Sequence, residues 1–427
     1  MKLTRIRVKD FRSFSGEHDF EIASGVNFFV GPNNCGKSNL VRALELALDP
    51  DAKYDPVKDR PRREAALGAP PTTRITLTFQ VGSTQPERTL LDRAQSYEMA
   101  VRKTRNASTA DDVHTYAADG EIRMVTSFAG AGARQTAFQA RGQGAASMSA
   151  ESAEHQKLER QFRTVVRFGV IHSGEDLESL LKGKFRQILQ LVIEDHLKSE
   201  LAKAEAARLD YLKSLQSELL EPLRQKVLAQ VGAMHPEIPL ANLIPYIPRV
   251  DETLSSVEIQ LGDVAVTELL DKGTGVRGAV LVSMLQYMAE QSRRSLVMAV
   301  EEPEAFLHPG GQEEIGKQLE ALAQRSDVSL LVTTHSPYVI SRSPEALITG
   351  LAKNGEGLTS RAGAASGNEE RAELLGSLYP DSGLSRVFER TMRTPRDAKA
   401  IVVTEGFTDG HFMKVCCEAA GRADLLE

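Results

Sequence analysis

Eight residues constrain this chain more than any others. Gly31-Pro32-Asn33-Asn34-Cys35-Gly36-Lys37-Ser38 fills every fixed position of the pattern G-x-x-x-x-G-K-[ST]. Val26-Asn27-Phe28-Phe29-Val30 runs into it as a short apolar strand, and Asn39–Leu48 leaves it with apolar residues at helical spacing. Strand, glycine loop, helix is the geometry in which backbone N–H groups curl around phosphate oxygens. The helix N-terminus adds partial positive charge. Asn33, Asn34, Gly36 and Asn39 are expected around a bound nucleoside triphosphate. Lys37 would reach the β and γ phosphates, and the Ser38 hydroxyl would hold Mg²⁺.

The rest of the chain must supply what such a loop lacks. At 427 residues it predicts two or three domains. A composition of 41% hydrophobic and 26% charged residues suits a soluble globular protein. No apolar run is long enough to cross a membrane, and Met1–Val8 alternates like a strand instead of forming a signal-peptide core. Cys35, Cys416 and Cys417 have no metal-ligand spacing, which favours a reducing, cytoplasmic setting. With a net charge of −6, contact with DNA would need local basic patches. Lys58, Arg60, Arg62 and Arg63 form one candidate; Arg386, Arg390, Arg393 and Arg396 form another. Solvated charge is the favoured account of both.

Along the chain, Leu3–Val8, Asp19–Ile22 and Arg74–Phe79 predict strands, with a surface loop over Asp49–Pro71. Val113–Ala117 and Glu121–Ser127 read as a hairpin, and Phe128–Ala150 as a low-complexity flexible connection. From Glu151 to about Val231 the character is helical. Leu177, Leu181, Phe185, Ile188 and Val192 fall on one face; Leu197, Leu201, Ala204, Leu212, Leu215, Leu219 and Leu223 make a second stripe. Pro222 is expected to end or kink that helix. The stripe packs either within a helical hairpin or across a dimer interface. Beyond Pro248, Val257–Leu261, Ser295–Val300, Val328–Thr334 and Ala400–Thr404 predict strands. Helices are expected at Ala279–Ala289, Gln312–Ala323 and Glu369–Met392, with Leu351–Gly367 a loop. Strand–helix alternation argues for a parallel sheet.

Three further motifs sit at strand ends or at a helix start. Leu296–Val300 delivers Glu301 and Glu302 to its tip, where open α/β sheets bind ligands. Glu301 is expected to hold Mg²⁺ through its water shell, and Glu302 to be the general base toward the attacking water. His335, in Thr333-Thr334-His335-Ser336-Pro337, follows another apolar strand. Lys272-Gly273-Thr274-Gly275-Val276-Arg277 opens a helix and suits a second phosphate; the alternative is a simple glycine turn.

In order and spacing these elements resemble the OLD (overcoming lysogenization defect) family of ATP-dependent nucleases. The residues carrying the resemblance are the phosphate loop, the long helical insert, Gly273-Thr274-Gly275, Glu301-Glu302-Pro303-Glu304-Ala305-Phe306-Leu307-His308-Pro309 and Thr334-His335-Ser336-Pro337. Val402-Val403-Thr404-Glu405-Gly406-Phe407-Thr408-Asp409 resembles the opening of a TOPRIM domain. The resemblance implies an ABC-type ATPase head, a mixed α/β sheet flanked by helices. It places the head in residues 1–150 and 241–397, an inserted helical dimerisation domain in 151–240 and a TOPRIM start in 398–427. It implies ATP and Mg²⁺ as cofactors and His335 as a switch histidine at the γ-phosphate. Gly273, Thr274 and Gly275 would close the site from the other copy of a homodimer, and Glu405 and Asp409 would begin a nuclease metal site. Hydrolysis would gate endonuclease cleavage of DNA, in keeping with phage defence, and some relatives add a helicase partner. Two-metal cleavage needs more carboxylates than Glu405 and Asp409, so the chain is expected to be a fragment of a longer protein. The alternative is a non-nuclease DNA-repair ATPase acting as an ATP-gated clamp.

Overall fold

The computed structural model describes residues 1–61, 72–104, 114–128, 132–141, 152–173, 198–234, 294–305, 307, 309–341, 343–379 and 407–422, with short stretches between 240 and 290. Two sheets share a core. The first is antiparallel, in the order β2-β1-β4-β5-β6. Its strands are β1 (Lys2–Phe11), β2 (Phe14–Glu21), β4 (Thr73–Gln80), β5 (Glu121–Phe128) and β6 (Arg134–Phe138). The second has the order β13-β12-β3-β11-β10-β7. It comprises β3 (Val26–Val30), β7 (Val166–Ile171), β10 (Ser295–Glu301), β11 (Val328–Thr333), β12 (Leu347–Lys353) and β13 (Thr359–Ala365). Five of these run parallel, and β13 turns back antiparallel to β12. A short ribbon pairs β8 (Gln260–Gly262) with β9 (Val266–Glu268).

The parallel strands β3, β10 and β11 are buried along their whole length, as expected of strands covered on both faces. Successive side chains point to opposite faces. Phe29, Val297 and Leu331 join a core with Phe20, Phe79 and Leu44. That core lies under the first sheet, α1 (Lys37–Leu48), α2 (Gln85–Thr104) and α3 (Ala153–Val165). Phe28, Val30, Met298 and Val332 face the other way and pack with Ile315, Leu319 and Leu375.

Among the described residues, His114–Ala117 forms no strand with β5, so the expected hairpin is not made there. Ala117–Asp119 forms a 3-10 turn closed by Gly120, and the Glu98 carboxylate accepts the Tyr116 and Ala117 N–H groups. The stretch Phe128–Ala150 is not all connection, because β6 pairs along β5. The helical reading from Glu151 holds over α3 and then breaks: α3 leads into β7, which lies beside β10 in the parallel sheet. Any insert therefore begins after residue 171. The loop expected over Leu351–Gly367 is a hairpin. Its glycines disguise it: Gly350 pairs with Gly363, and both lie against Leu374 of a covering helix. Pro222, expected to end or kink its helix, does not end it, because the helix runs on to Met234. A π-helical turn, Leu215–Leu220, sits between α4 (Lys198–Ser214) and α5 (Glu221–Met234), and the wider turn accommodates the missing proline N–H. On this helix Leu209, Leu219 and Leu223 are exposed, while the Leu177–Val192 stripe and Leu197 lie outside the described residues. The remaining helices are α6 (Pro309–Ala323), α7 (Asn368–Leu378) and α8 (Phe407–Ala419).

Candidate nucleotide site

The phosphate loop connects β3 to α1 at the carboxyl edge of the parallel sheet. Gly31 has φ 155° and Gly36 has φ 112°. A Cβ on Gly31 would collide with the Leu351 carbonyl of β12, and one on Gly36 with the Thr359 hydroxyl of β13. Both positions therefore require glycine. The loop is clamped from below: Thr359 Oγ1 donates to the Cys35 carbonyl at 2.8 Å and shares a 2.6 Å hydrogen bond with Ser13 Oγ. Asn39 Nδ2 donates to Ser13 at 2.7 Å, and Arg12 donates to Asn39 Oδ1 at 3.2 Å. Asn33, Asn34 and Ser38 are exposed, whereas Lys37 is buried. Its ammonium donates to the Gly31 and Pro32 carbonyls at 2.9 and 3.2 Å. Burial lowers the Lys37 pKa, against the opposing pull of Cys35, Glu302, Glu304 and Glu301.

Parallel pairing of β10 with β11 brings Glu301, Glu302 and His335 to the same edge. Glu301 Oε2 accepts from His172 Nδ1 at 3.0 Å and from the Ser173 N–H at 3.3 Å. Its Oε1 is buried without a hydrogen-bond partner, and the Ser38 hydroxyl faces this carboxylate. Burial opposes ionisation of Glu301, but His172 and Ser38 hold its pKa below the usual carboxylate value. Glu302 adopts φ 44°, a left-handed conformation rare for such a residue. Its N–H donates to the Thr333 carbonyl at 2.8 Å. Its side chain meets Ser173 Oγ at 2.8 Å and His335 Nε2 at 3.4 Å. Burial and the Lys37 charge lower the His335 pKa, favouring the neutral imidazole.

Among the described residues no three His, Cys, Asp or Glu side chains group to hold a metal by themselves. A single carboxylate with an unpartnered buried oxygen beside a hydroxyl fits Mg²⁺, which usually takes one or two protein oxygens and completes its shell with phosphates and water. Gly273, Thr274, Gly275 and Glu405 lie outside the described residues, and Asp409 is in the first turn of α8. The structure thus brings together Lys37, Ser38, Glu301, Glu302 and His335.

Four contributors were not foreseen. His172 and Ser173 follow β7, which the helical reading had hidden; a short Val-Arg-Phe-Gly-Val-Ile run ending in His-Ser-Gly was the available signal. Glu304 accepts the His335 backbone N–H at 2.7 Å, and burial raises its pKa. Tyr379, just past α7, faces the Gly31 backbone, and burial pushes its phenol up to about 12.

A family model described as "AAA domain, putative AbiEii toxin, Type IV TA system" matches residues 26–341. The chain is 56% identical over 48 residues to the chromosome partition protein Smc of Rhodopseudomonas palustris, covering 11% of this chain and 4% of that protein. It is 48% identical over 44 residues to the DNA replication and repair protein RecF of Yersinia enterocolitica, covering 10% of this chain and 12% of that protein. These matches span a small part of either relative. A crystal structure of an Smc head bound to the C-winged helix domain of ScpA superposes with a TM-score of 0.50 at 12% identity, over 86% of this chain and 98% of that one. That likeness is one of fold: an α/β phosphate-loop ATPase head with a mixed sheet and flanking helices. No helix among the described residues is long and apolar enough to cross a membrane.

Proposed function

Since the chain belongs to the AAA-domain family whose model spans residues 26–341, we propose that it is an ATP-hydrolysing head that works on DNA as a homodimer. The observation that carries this reading is the convergence of Ser38, Glu301, Glu302 and His335 beside the Lys37 loop. Mg²⁺ bound with ATP would neutralise charge on the transferred phosphoryl group. The chain's own residues do the rest. Lys37 leaves the loop carbonyls for phosphate oxygens, and Ser38 and Glu301 hold the metal. Glu302, kept close to His335, orients and deprotonates the attacking water. His335 contacts the γ-phosphate as a donor. Gly273, Thr274 and Gly275 of a second copy close the site.

Glu302→Gln should bind ATP normally and hydrolyse it about 100-fold more slowly or worse. Lys37→Ala should abolish the rise in melting temperature that ATP produces. Normal turnover in the first variant removes Glu302 as the base; a preserved ATP-induced rise in the second removes the loop as the binding site.

For the coupled chemistry, the motif Val402–Asp409 supports an OLD-type nuclease whose TOPRIM carboxylates begin with Glu405 and Asp409 and use divalent metals. The RecF and Smc similarities support a second reading, an ATP-gated DNA clamp without cleavage. Metal-dependent plasmid nicking by the natural gene product, lost in Glu405→Ala, distinguishes the two. Absence of nicking from the active ATPase favours the clamp.

A further inference from the structure

We propose that His172 is a positioning residue that fixes the metal-binding carboxylate of Glu301 and ties it to the phosphate-loop helix through Glu45. The inference rests on the assignment of Glu301 as the Mg²⁺ carboxylate. Each ring nitrogen of His172 faces a carboxylate: Nδ1 is 3.0 Å from Glu301 Oε2, and Nε2 is 3.6 Å from Glu45 Oε1. Glu45 is steadied by Arg42, whose guanidinium lies 2.7 Å from Glu45 Oε2 and 3.6 Å from the fully buried Asp59. Asp59 in turn pairs with Arg12. Ser173, next in sequence, adds its N–H to Glu301 Oε2 and its hydroxyl to Glu302.

These contacts close a ring. Helix α1 carries both Ser38, which faces Glu301, and Glu45, which faces His172. The two are about 10 Å apart along the helix axis at 1.5 Å per residue. The helix therefore reaches the tip of β10 through the imidazole bridge, with Ser38 of its first turn beside the same carboxylate. One carboxylate oxygen of Glu301 is committed to His172 and Ser173. The other, Oε1, is buried without a hydrogen-bond partner. A carboxylate held by one oxygen keeps the other available to a cation, and removing such outer supports typically costs about 10–100-fold in metal affinity.

The test reads binding and not turnover. A fluorescent ATP analogue is titrated with Mg²⁺ at fixed nucleotide. His172→Ala should raise the Mg²⁺ midpoint about 10–100-fold while leaving metal-free nucleotide affinity unchanged. His172→Gln, which keeps an N–H donor, should recover part of the shift, and His172→Phe should not. Glu45→Gln should shift the midpoint in the same direction by less, and it stands in if His172→Ala does not fold. An unchanged midpoint in His172→Ala or, failing that, in Glu45→Gln overturns the inference, even if the melting temperature falls. Glu301→Gln is the control. If it leaves the midpoint unmoved, the assignment of Glu301 has failed; if it moves the midpoint and the His172 variants do not, only the positioning role has.

Discussion

Glu302 carries its carboxylate on a left-handed backbone, φ 44°. Strain of this kind costs about 1–3 kcal/mol and persists where the surroundings over-determine it. Here the N–H bond to Thr333 and the contacts to Ser173 and His335 do so. Glu302→Asn, a residue type that enters this region more readily, should keep or slightly raise the melting temperature while turnover falls at least about 100-fold. A marked loss of stability would show that the carboxylate holds the turn together. Far from this site, Glu159 has its pKa lowered to about 2, first by His155 and then by Arg163, against burial. Its folded pKa lies below the ordinary 4.5, so the stabilisation is complete above pH 4.5 and is lost as pH falls toward 2. After allowance for solvent screening this is about 1 kcal/mol. Urea unfolding of Glu159→Gln at pH 7 and pH 3 should show a correspondingly smaller fall in stability than the parent. At this scale the sequence was most readable where residues belong to a local pattern: the meeting of Lys37, Ser38, Glu301, Glu302 and His335 at one sheet edge follows from their positions after apolar strands. His172 and Tyr379 meet the site through neighbours distant in sequence; the apolar run Val166–Ile171 is a faint local signal for His172, and Tyr379 has none.

At the scale of elements, the hairpin β12–β13 was hidden by its own packing. A loop reading is natural for a run containing Gly350, Gly355, Gly357 and Gly363. Two of these glycines serve the sheet instead. A Cβ on Gly350 would lie 3.0 Å from Leu374 Cδ1, and one on Gly363 would lie 3.1 Å from it, so α7 can settle close only on a bare strand. Gly350→Leu should therefore destabilise the fold by about 1–3 kcal/mol through overpacking. Leu374→Ala in the same chain should restore part of that loss, because the two changes share one contact. Full additivity in urea melts would separate them. Of the two outcomes expected at Pro222, an end or a kink, the helix does not end there. A proline rule assumes an α-helical ladder, and the π turn at Leu215–Leu220 changes the ladder before the proline arrives. The buried strands β3, β10 and β11 were plain because a doubly covered parallel strand is apolar throughout.

At the scale of the molecule, a composite site makes a prediction that no single subunit can satisfy. Lys37→Ala removes the loop's cation, and Gly275→Arg blocks the segment proposed to come from the other copy. Neither variant alone should hydrolyse ATP. In an equimolar mixture half the dimers are mixed, and each mixed dimer has one intact site of its two. Turnover should therefore return to about a quarter of normal if the dimer is symmetric. No recovery, once subunit exchange is shown by mass measurement, would place Gly275 in the site formed by Lys37 of its own subunit. The arrangement of the sheets was only partly visible in the sequence, which carried the alternation of β1 and β4 but not which strand lies beside which.

The clamp on the phosphate loop has a temporal consequence. Cys35 is held by Thr359, 324 positions later, and Gly31 is seated against Leu351. A chain emerging from the ribosome displays its nucleotide motif within the first forty or so residues, yet the strands that seat it come near the end of the described head. Until about residue 365 is out, the growing polypeptide owns the motif without the socket. Synthesis itself would thus act as a safety catch, keeping an unfinished protein from spending ATP before it has anything to do with it.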